Sequence, residues 1–84
     1  MKFSKPLSNS ETKYKYFGLP KKIREEFPEK DIKFSVKFLG KIFQMSVNNK
    51  NCIMLSQLYS LHEFKADEIL TISDTKSGYE ITLE

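Results

Sequence analysis

Tryptophan is absent from this chain of 84 residues, cysteine and histidine occur once each, and glycine and proline three times each. A single cysteine, Cys52, excludes an internal disulfide framework and fits a reducing, cytoplasmic setting. The role expected of Cys52 is that of a small buried hydrophobe at a strand start. One histidine and one cysteine cannot build a four-ligand zinc site without acidic help, so no metal is expected. His62 lies beside Glu63 in a predicted helix, and no nucleophile with a neighbouring base stands out. Gly18, Gly40 and Gly78 stand alone, which excludes a glycine-rich phosphate loop. No apolar run is long enough to span a membrane. The amino-terminal stretch MKFSKPLSNSETK also lacks the continuous apolar segment of a secretory signal. The expectation is a protein with no enzymatic activity, no cofactor, no small-molecule substrate and no membrane partner.

What the chain does contain is enough for one modest core. It is 39% hydrophobic and 30% charged, the balance of a single globular domain. Phenylalanine supplies seven of the eleven aromatic residues, so Phe, Ile and Leu are expected to build the interior. The net charge of +3 is unevenly spread. Residues 1 to 50 carry twelve Lys or Arg against five acids, a surplus of +7, whereas residues 51 to 84 carry two against six, or −4. The basic excess points to an anionic partner, and the acidic end argues against a uniform polyanion coat.

The strongest pattern is a repetition. Residues 17 to 36 and 53 to 72 share an order of features: an apolar approach, a short amphipathic helix, an acidic corner and an alternating strand. A shift of 36 positions lays Leu19 on Leu55, Ile23 on Tyr59, Asp31 on Asp67, Phe34 on Leu70 and Val36 on Ile72. Two such units predict a mainly β fold with two short helices, in the α+β class, arranged as a pseudo-symmetric β-barrel with internal duplication.

Local signals fill in the elements. Residues 1 to 12 are rich in Ser, Asn, Thr and Pro and read as a flexible arm, leaving residues 13 to 84 as the domain. Lys13 to Phe17 alternates Lys with Tyr, as a strand does. Pro20 suits a first helical turn, Ile23 and Phe27 share a face four apart, and Pro28 stops a helix over residues 21 to 27. Ile32, Phe34, Val36 and Phe38 line one face of a strand. A turn at Leu39-Gly40 sets Val36 against Phe43, Phe34 against Met45 and Ile32 against Val47, although Leu is a poor residue for a tight turn. Asn48 to Asn51 form a polar turn, Cys52 to Leu55 a strand, and Ser56 the N-cap of a helix to about Glu63. A last hairpin pairs Ile72 with Tyr79 and Leu70 with Ile81, with Asp74 to Ser77 at its tip.

The candidate site follows from charge. Lys13, Lys15, Lys21, Lys22 and Arg24 fall within twelve positions around a strand-to-helix junction. Lysines on one side of a strand can track phosphates, or they can simply solvate the surface. Asn48, Asn49, Lys50 and Asn51 can present amides to base edges, or form an ordinary turn. Tyr14 and Tyr16 read as packing residues before base-stacking platforms. Two partners are therefore weighed: duplex DNA, leading, and a protein, docked by a small regulator or inhibitor whose acidic second half would oppose DNA.

In this order of elements the chain resembles the DNA-binding pseudobarrel, the fold of plant B3-type transcription-factor domains and of restriction-endonuclease effector domains. The residues that carry the resemblance are Leu19-Pro20, then Val36 and Gly40 to Phe43, Leu55 and Tyr59, and Asp67. The family often has Gly-Asp where this chain has Ala66-Asp67, and a Gly-Trp pair that is missing here. The second half is also similar to the strand-helix-strand unit of AbrB-like regulators. The resemblance implies a regulatory DNA-binding module. By position it places one DNA-contacting arm near Lys13 and Lys15 and the other at Asn48 to Asn51.

Overall fold

The computed structural model describes residues 1–84 and builds seven strands, two short α-helices and one 3-10 turn. In chain order these are β1 (Lys2–Pro6), α1 (Asn9–Tyr14), β2 (Tyr16–Gly18), α2 (Lys21–Arg24), β3 (Phe34–Phe38), β4 (Lys41–Met45), β5 (Cys52–Met54), the 3-10 helix Ser56–Ser60, β6 (Ile69–Thr75) and β7 (Gly78–Leu83). The fold is mainly β in the α+β class.

The repetition is real in space. Moving β2, β3 and β4 by 36 positions lands them on β5, β6 and β7. Asp31 and Asp67, related by that shift, both take the left-handed conformation, at φ 66 and 70. Short polar residues of this kind tolerate that region because their side chains bond locally. β2 pairs with β5 so that Phe17 faces Ile53, residues also 36 apart, and each is fully buried. The two copies thus meet across a local two-fold axis.

A closed barrel does not form. Five strands make one sheet in the order β1-β6-β7-β3-β4, and β2-β5 make a second. β3 pairs with β7 in parallel, and the same rule applied to the other copy would set β6 beside β4. That place on β6 is taken by β1, which runs antiparallel to it from Lys2↔Ser73 to Pro6↔Ile69. The sheet stays open, with β1 and β4 at its edges.

The stretch expected to be an arm, residues 1 to 12, holds β1 and the first turn of α1. Phe3 packs against Phe17 with ring centres 5.9 Å apart, and Leu7 is buried. Ser8 then caps α1: its hydroxyl accepts the Glu11 N–H (3.1 Å), while the Glu11 carboxylate accepts the Ser8 N–H (2.9 Å). This Ser-x-x-Glu capping box is written in a stretch whose composition looks disordered. Lys13 and Tyr14 consequently close a helix instead of a strand, and Lys15 ends it at φ 59. Only Tyr16 to Gly18 remain extended.

Elsewhere the expectations hold or shift for local reasons. The central hairpin has the predicted register, Phe34↔Met45, Val36↔Phe43 and Phe38↔Lys41. Its turn is a primed one, with Leu39 at φ 49 and Gly40 at φ 80. Ile32 does not face Val47. Asp31 breaks the strand before it, Ile32 is 55% exposed, and Val47 bridges Ile53. The first helix ends at Arg24; its last turns tighten through N–H groups of Glu26 and Phe27 donating to Ile23 and Arg24. The second is a 3-10 helix that Ser56 begins without a side-chain cap. The final hairpin pairs Ile72 with Ile81 and Leu70 with Leu83, two residues from the predicted register. A two-residue slip preserves which face each side chain occupies, so alternation could not distinguish the two. Tyr79 decides it, stacking on Phe27 at 4.5 Å and meeting Phe34 at 5.0 Å.

One prediction arises here. Leu39 holds a left-handed turn position in which its Cβ crowds the following carbonyl, at a cost of about 1 kcal/mol relative to Asn, whose short polar side chain can bond locally. Leu39→Asn is expected to raise stability by about that amount, roughly 4–8 °C in Tm for a domain of this size. Thermal unfolding followed by circular dichroism checks it; an unchanged or lower Tm would show that Leu39 contributes packing.

Candidate nucleic-acid interface

The β2·β5 pair brings the two segments singled out in the sequence together. Because Phe17 and Ile53 point inward, Tyr16 and Gly18 face outward opposite Met54 and Cys52. α1 delivers Tyr14 to one side, and the turn before β5 delivers Asn48, Asn49 and Lys50 to the other. Together Tyr14, Tyr16, Asn48, Asn49, Lys50, Cys52 and Met54 line an open groove of about 500 Å³. Its walls are unusually apolar for a surface: Tyr14 is 60% exposed and Met54 45%. Tyr14 and Tyr16, expected to pack inside, instead build this wall.

The turn is held by its own side chain. Asn48 Oδ1 accepts the N–H groups of Lys50 (2.9 Å) and Cys52 (3.1 Å), and the Asn51 N–H donates to the Asn48 carbonyl (3.1 Å). Asn51 takes φ 59, and its carbonyl accepts the Leu19 N–H at 2.9 Å. Asn48 therefore spends its oxygen on the fold, while its NH₂ group is uncommitted. Asn49 and Lys50 are exposed with free side chains.

The lysines divide. The Lys13 ammonium lies 5.3 Å from the centre of the Tyr14 ring, which puts a positive charge at the groove wall. Lys15, turned by its left-handed backbone, sits 5.0 Å over Tyr59, outside the groove lining. Lys21 and Lys22 are exposed on α2, two residues beyond the Leu19–Asn51 bond. Arg24 is drawn into the fold, since its Nη1 donates to the carbonyls of Pro28 (2.8 Å) and Phe27 (3.4 Å). Of the nine predicted residues, the groove lining gathers Asn48, Asn49 and Lys50, with Lys13 at its edge.

No Asp or Glu is among the lining residues. Three of the six acids of the second half are engaged elsewhere: Asp74 with the Met1 amine (2.7 Å), Glu68 with His62 (2.8 Å) and Glu63 with Lys65 (3.1 Å). The lysines do not form one face, however, because Lys37 and Lys76 border a second depression beside Glu80. Cys52 lies in the groove with its Sγ 3.4 Å from the Lys50 carbonyl, and burial followed by the Glu11 charge pushes its thiol pKa up. It stays protonated at neutral pH and is a poor nucleophile.

Behind the groove stands a residue the charge argument passed over. Glu11 is only 4% exposed, accepts the Gly18 N–H at 2.7 Å and pairs with Lys5 at 2.6 Å. Burial alone would raise its pKa; the Lys5 ammonium and the Gly18 and Ser8 N–H groups outweigh that and hold it below the ordinary carboxylate value. Glu11 thereby locks β1, α1 and β2 to one another. The Ser8-x-x-Glu11 spacing was its signal in the sequence.

No family model and no curated protein sequence matches this chain. Solved structures do. The N-terminal domain of Helicobacter pylori LlaJI.R1 is similar at a TM-score of 0.77 and 13% identity, over 99% of this chain and 86% of that one. The protein in an Arabidopsis FUS3–DNA complex is similar at 0.71 and 19%, over 98% and 94%. A hypothetical Arabidopsis thaliana protein follows at 0.68 and 14%, over 100% and 89%. The architecture reached here from the residues upward is therefore that of the B3-like pseudobarrel.

Proposed function

We propose that this protein is a small regulatory module that binds duplex DNA through the groove between Tyr16 and the Asn48–Asn51 turn. The observation that carries the reading is the meeting, across β2·β5, of two segments far apart in sequence to form an acid-free groove with lysines at its rim. The likeness to a protein solved in complex with DNA supports it. Lys13 and Lys50 contact phosphates and fix the register, Lys21 and Lys22 extend the positive rim, and the uncommitted NH₂ of half-buried Asn48 and the exposed amide of Asn49 read base edges. Tyr14 and Met54 give the apolar contact that a sugar or thymine methyl can use.

Fluorescence anisotropy with a labelled random duplex tests this. Affinity is expected to fall steeply with salt, with a log–log slope of about −3 to −4 for three or four phosphate contacts. Lys13→Glu combined with Lys50→Glu should weaken binding at least about tenfold and flatten that slope by roughly 2. Wild-type amide resonances that do not move on addition of duplex at low salt would refute the proposal.

A further inference from the structure

We infer that the free edge of β4 is a second interaction surface, one that accepts an extended acidic segment of a partner protein as an added strand. The inference is independent of DNA binding. β4 runs from the Leu39-Gly40 turn towards Val47 and the Asn48 turn, so the hairpin tip and the groove are separated by about 20 Å of strand.

The register identifies which backbone groups are free. In a two-residue hairpin the residues flanking the turn form a hydrogen-bonded pair, here Phe38 and Lys41, and bonding alternates from there. Lys41, Phe43 and Met45 spend their groups on β3; those of Ile42 and Gln44 point away from it. The Gln44 carbonyl accepts the Gln57 side-chain N–H at 3.1 Å. The N–H and C=O of Ile42 and the N–H of Gln44 remain, the spacing that an incoming strand pairs with.

The side chains say what would come. Ile42 and Leu39 are each 61% exposed, and no buried neighbour explains either. Leu39 does so in a turn position that disfavours it (φ 49), a local rule broken with no return inside the fold. From residue 32 to residue 62 there is no Asp or Glu, and Lys37 and Lys41 stand on this hairpin; Lys37 is paired on its other side with Glu80 of β7, which leaves Lys41 as the cation of the edge strand itself. Lys37 lies opposite Ile42 on β3, and with Lys76, Ser35 and Ser77 borders a depression of about 290 Å³. An apolar residue against Ile42, followed on the opposite face by an acidic one against Lys41, complements this surface.

The β1 edge of a second copy does not. The other edge of the five-stranded sheet, β1, carries Lys2, Lys5 and Pro6 and no acid, so pairing it with β4 would set lysine against lysine. Pro6 also lacks the N–H that pairing needs. Edge strands are commonly blunted in this way. β1 has that protection, whereas β4 presents Ile42.

The test is a titration of isotopically labelled protein with a short capped peptide of alternating Val and Glu, with a Val–Lys peptide as control. The Val–Glu peptide should shift the Ile42, Gln44 and Gly40 amides and leave those of Asn49 and Lys50 unmoved. Ile42→Pro removes an N–H that the sheet does not use together with the exposed apolar side chain, and should weaken binding at least tenfold. Leu39→Asn, expected to fold more stably than wild type, should weaken it several-fold and so covers the case in which the proline variant unfolds. Equal binding of the Val–Lys peptide, shifts confined to the groove, or no shifts would overturn the inference. So would sedimentation of the protein with anionic lipid vesicles, or concentration-dependent dimerisation that Ile42→Pro abolishes.

Discussion

Replacing Gly78 by alanine is expected to lower the free energy of unfolding by about 3–5 kcal/mol, most of what a domain of this size holds in reserve. A Cβ at Gly78 would stand 2.4 Å from the Ser35 carbonyl oxygen and 3.2 Å from its carbon, both backbone atoms of the neighbouring strand β3. Backbone cannot swing aside as a long side chain can. Overpacking of this kind costs about 1–3 kcal/mol, and a similar amount attends a side chain held at φ 156, where glycine alone is comfortable. The two add because they act on different coordinates, one on strand separation and the other on the residue's own backbone. β3·β7 is the parallel contact that joins the two copies, so separation there is not a local loss. Urea unfolding should show a lower midpoint with an unchanged slope. A shift under about 1 kcal/mol would mean that β7 can slide without cost.

Glu11→Ala should cost about 3 kcal/mol. The substitution strands the Gly18 N–H and the Ser8 N–H beneath α1, at about 1–3 kcal/mol for each buried donor left without an acceptor, partly relieved by water. It also dissolves the capping box, worth about 1 kcal/mol, and frees Lys5 from its 2.6 Å pair. The pH dependence gives the sharper check. The folded pKa of Glu11 lies below its ordinary 4.5. A carboxyl depressed in the folded state stabilises fully above the unfolded value, and that contribution is lost as pH falls through the folded one. Wild type should therefore lose stability faster than Glu11→Gln as the pH is lowered from about 5 to 3. Glu68, also held low against burial by His62 and the Lys65 N–H, contributes in the same direction to both proteins and cancels in the comparison. Parallel stability curves for the two would show that folding does not lower the pKa of Glu11. Because Glu11 holds β2 in place, Glu11→Ala should also loosen the groove, seen as faster amide exchange at Gly18 and Cys52.

Chain order and face were legible in the residues; long-range partnership was not. The central hairpin could be aligned residue by residue because one register alone matched its apolar positions, Phe34 with Met45 and Val36 with Phe43. The last hairpin could not, because its alternation survives a slip of two and Tyr79 is settled by Phe27, a residue 52 positions away. The amino terminus misled through composition. Ser8 and Glu11 make a capping signal only to a reader who weighs spacing over polarity, and Phe3 and Leu7 needed β6 and Phe17 to show why they are apolar. For the site, the asparagine turn was readable from its left-handed tolerance. That Lys15 turns to Tyr59 and Arg24 to the Pro28 carbonyl depended on a helix cap and a chain reversal that no local pattern announces.

A duplicated strand-helix-strand plan, the inward faces of β3, β4 and β6, and a basic, cysteine-poor composition can be read from the residues alone, because periodicity and charge are local properties. That β1 takes the place beside β6 and leaves the sheet open, and that Tyr14, Tyr16 and the Asn48 turn share one groove, emerges only in the folded chain. Those outcomes depend on which hydrogen-bonding edge finds which partner, a choice made by packing between residues tens of positions apart.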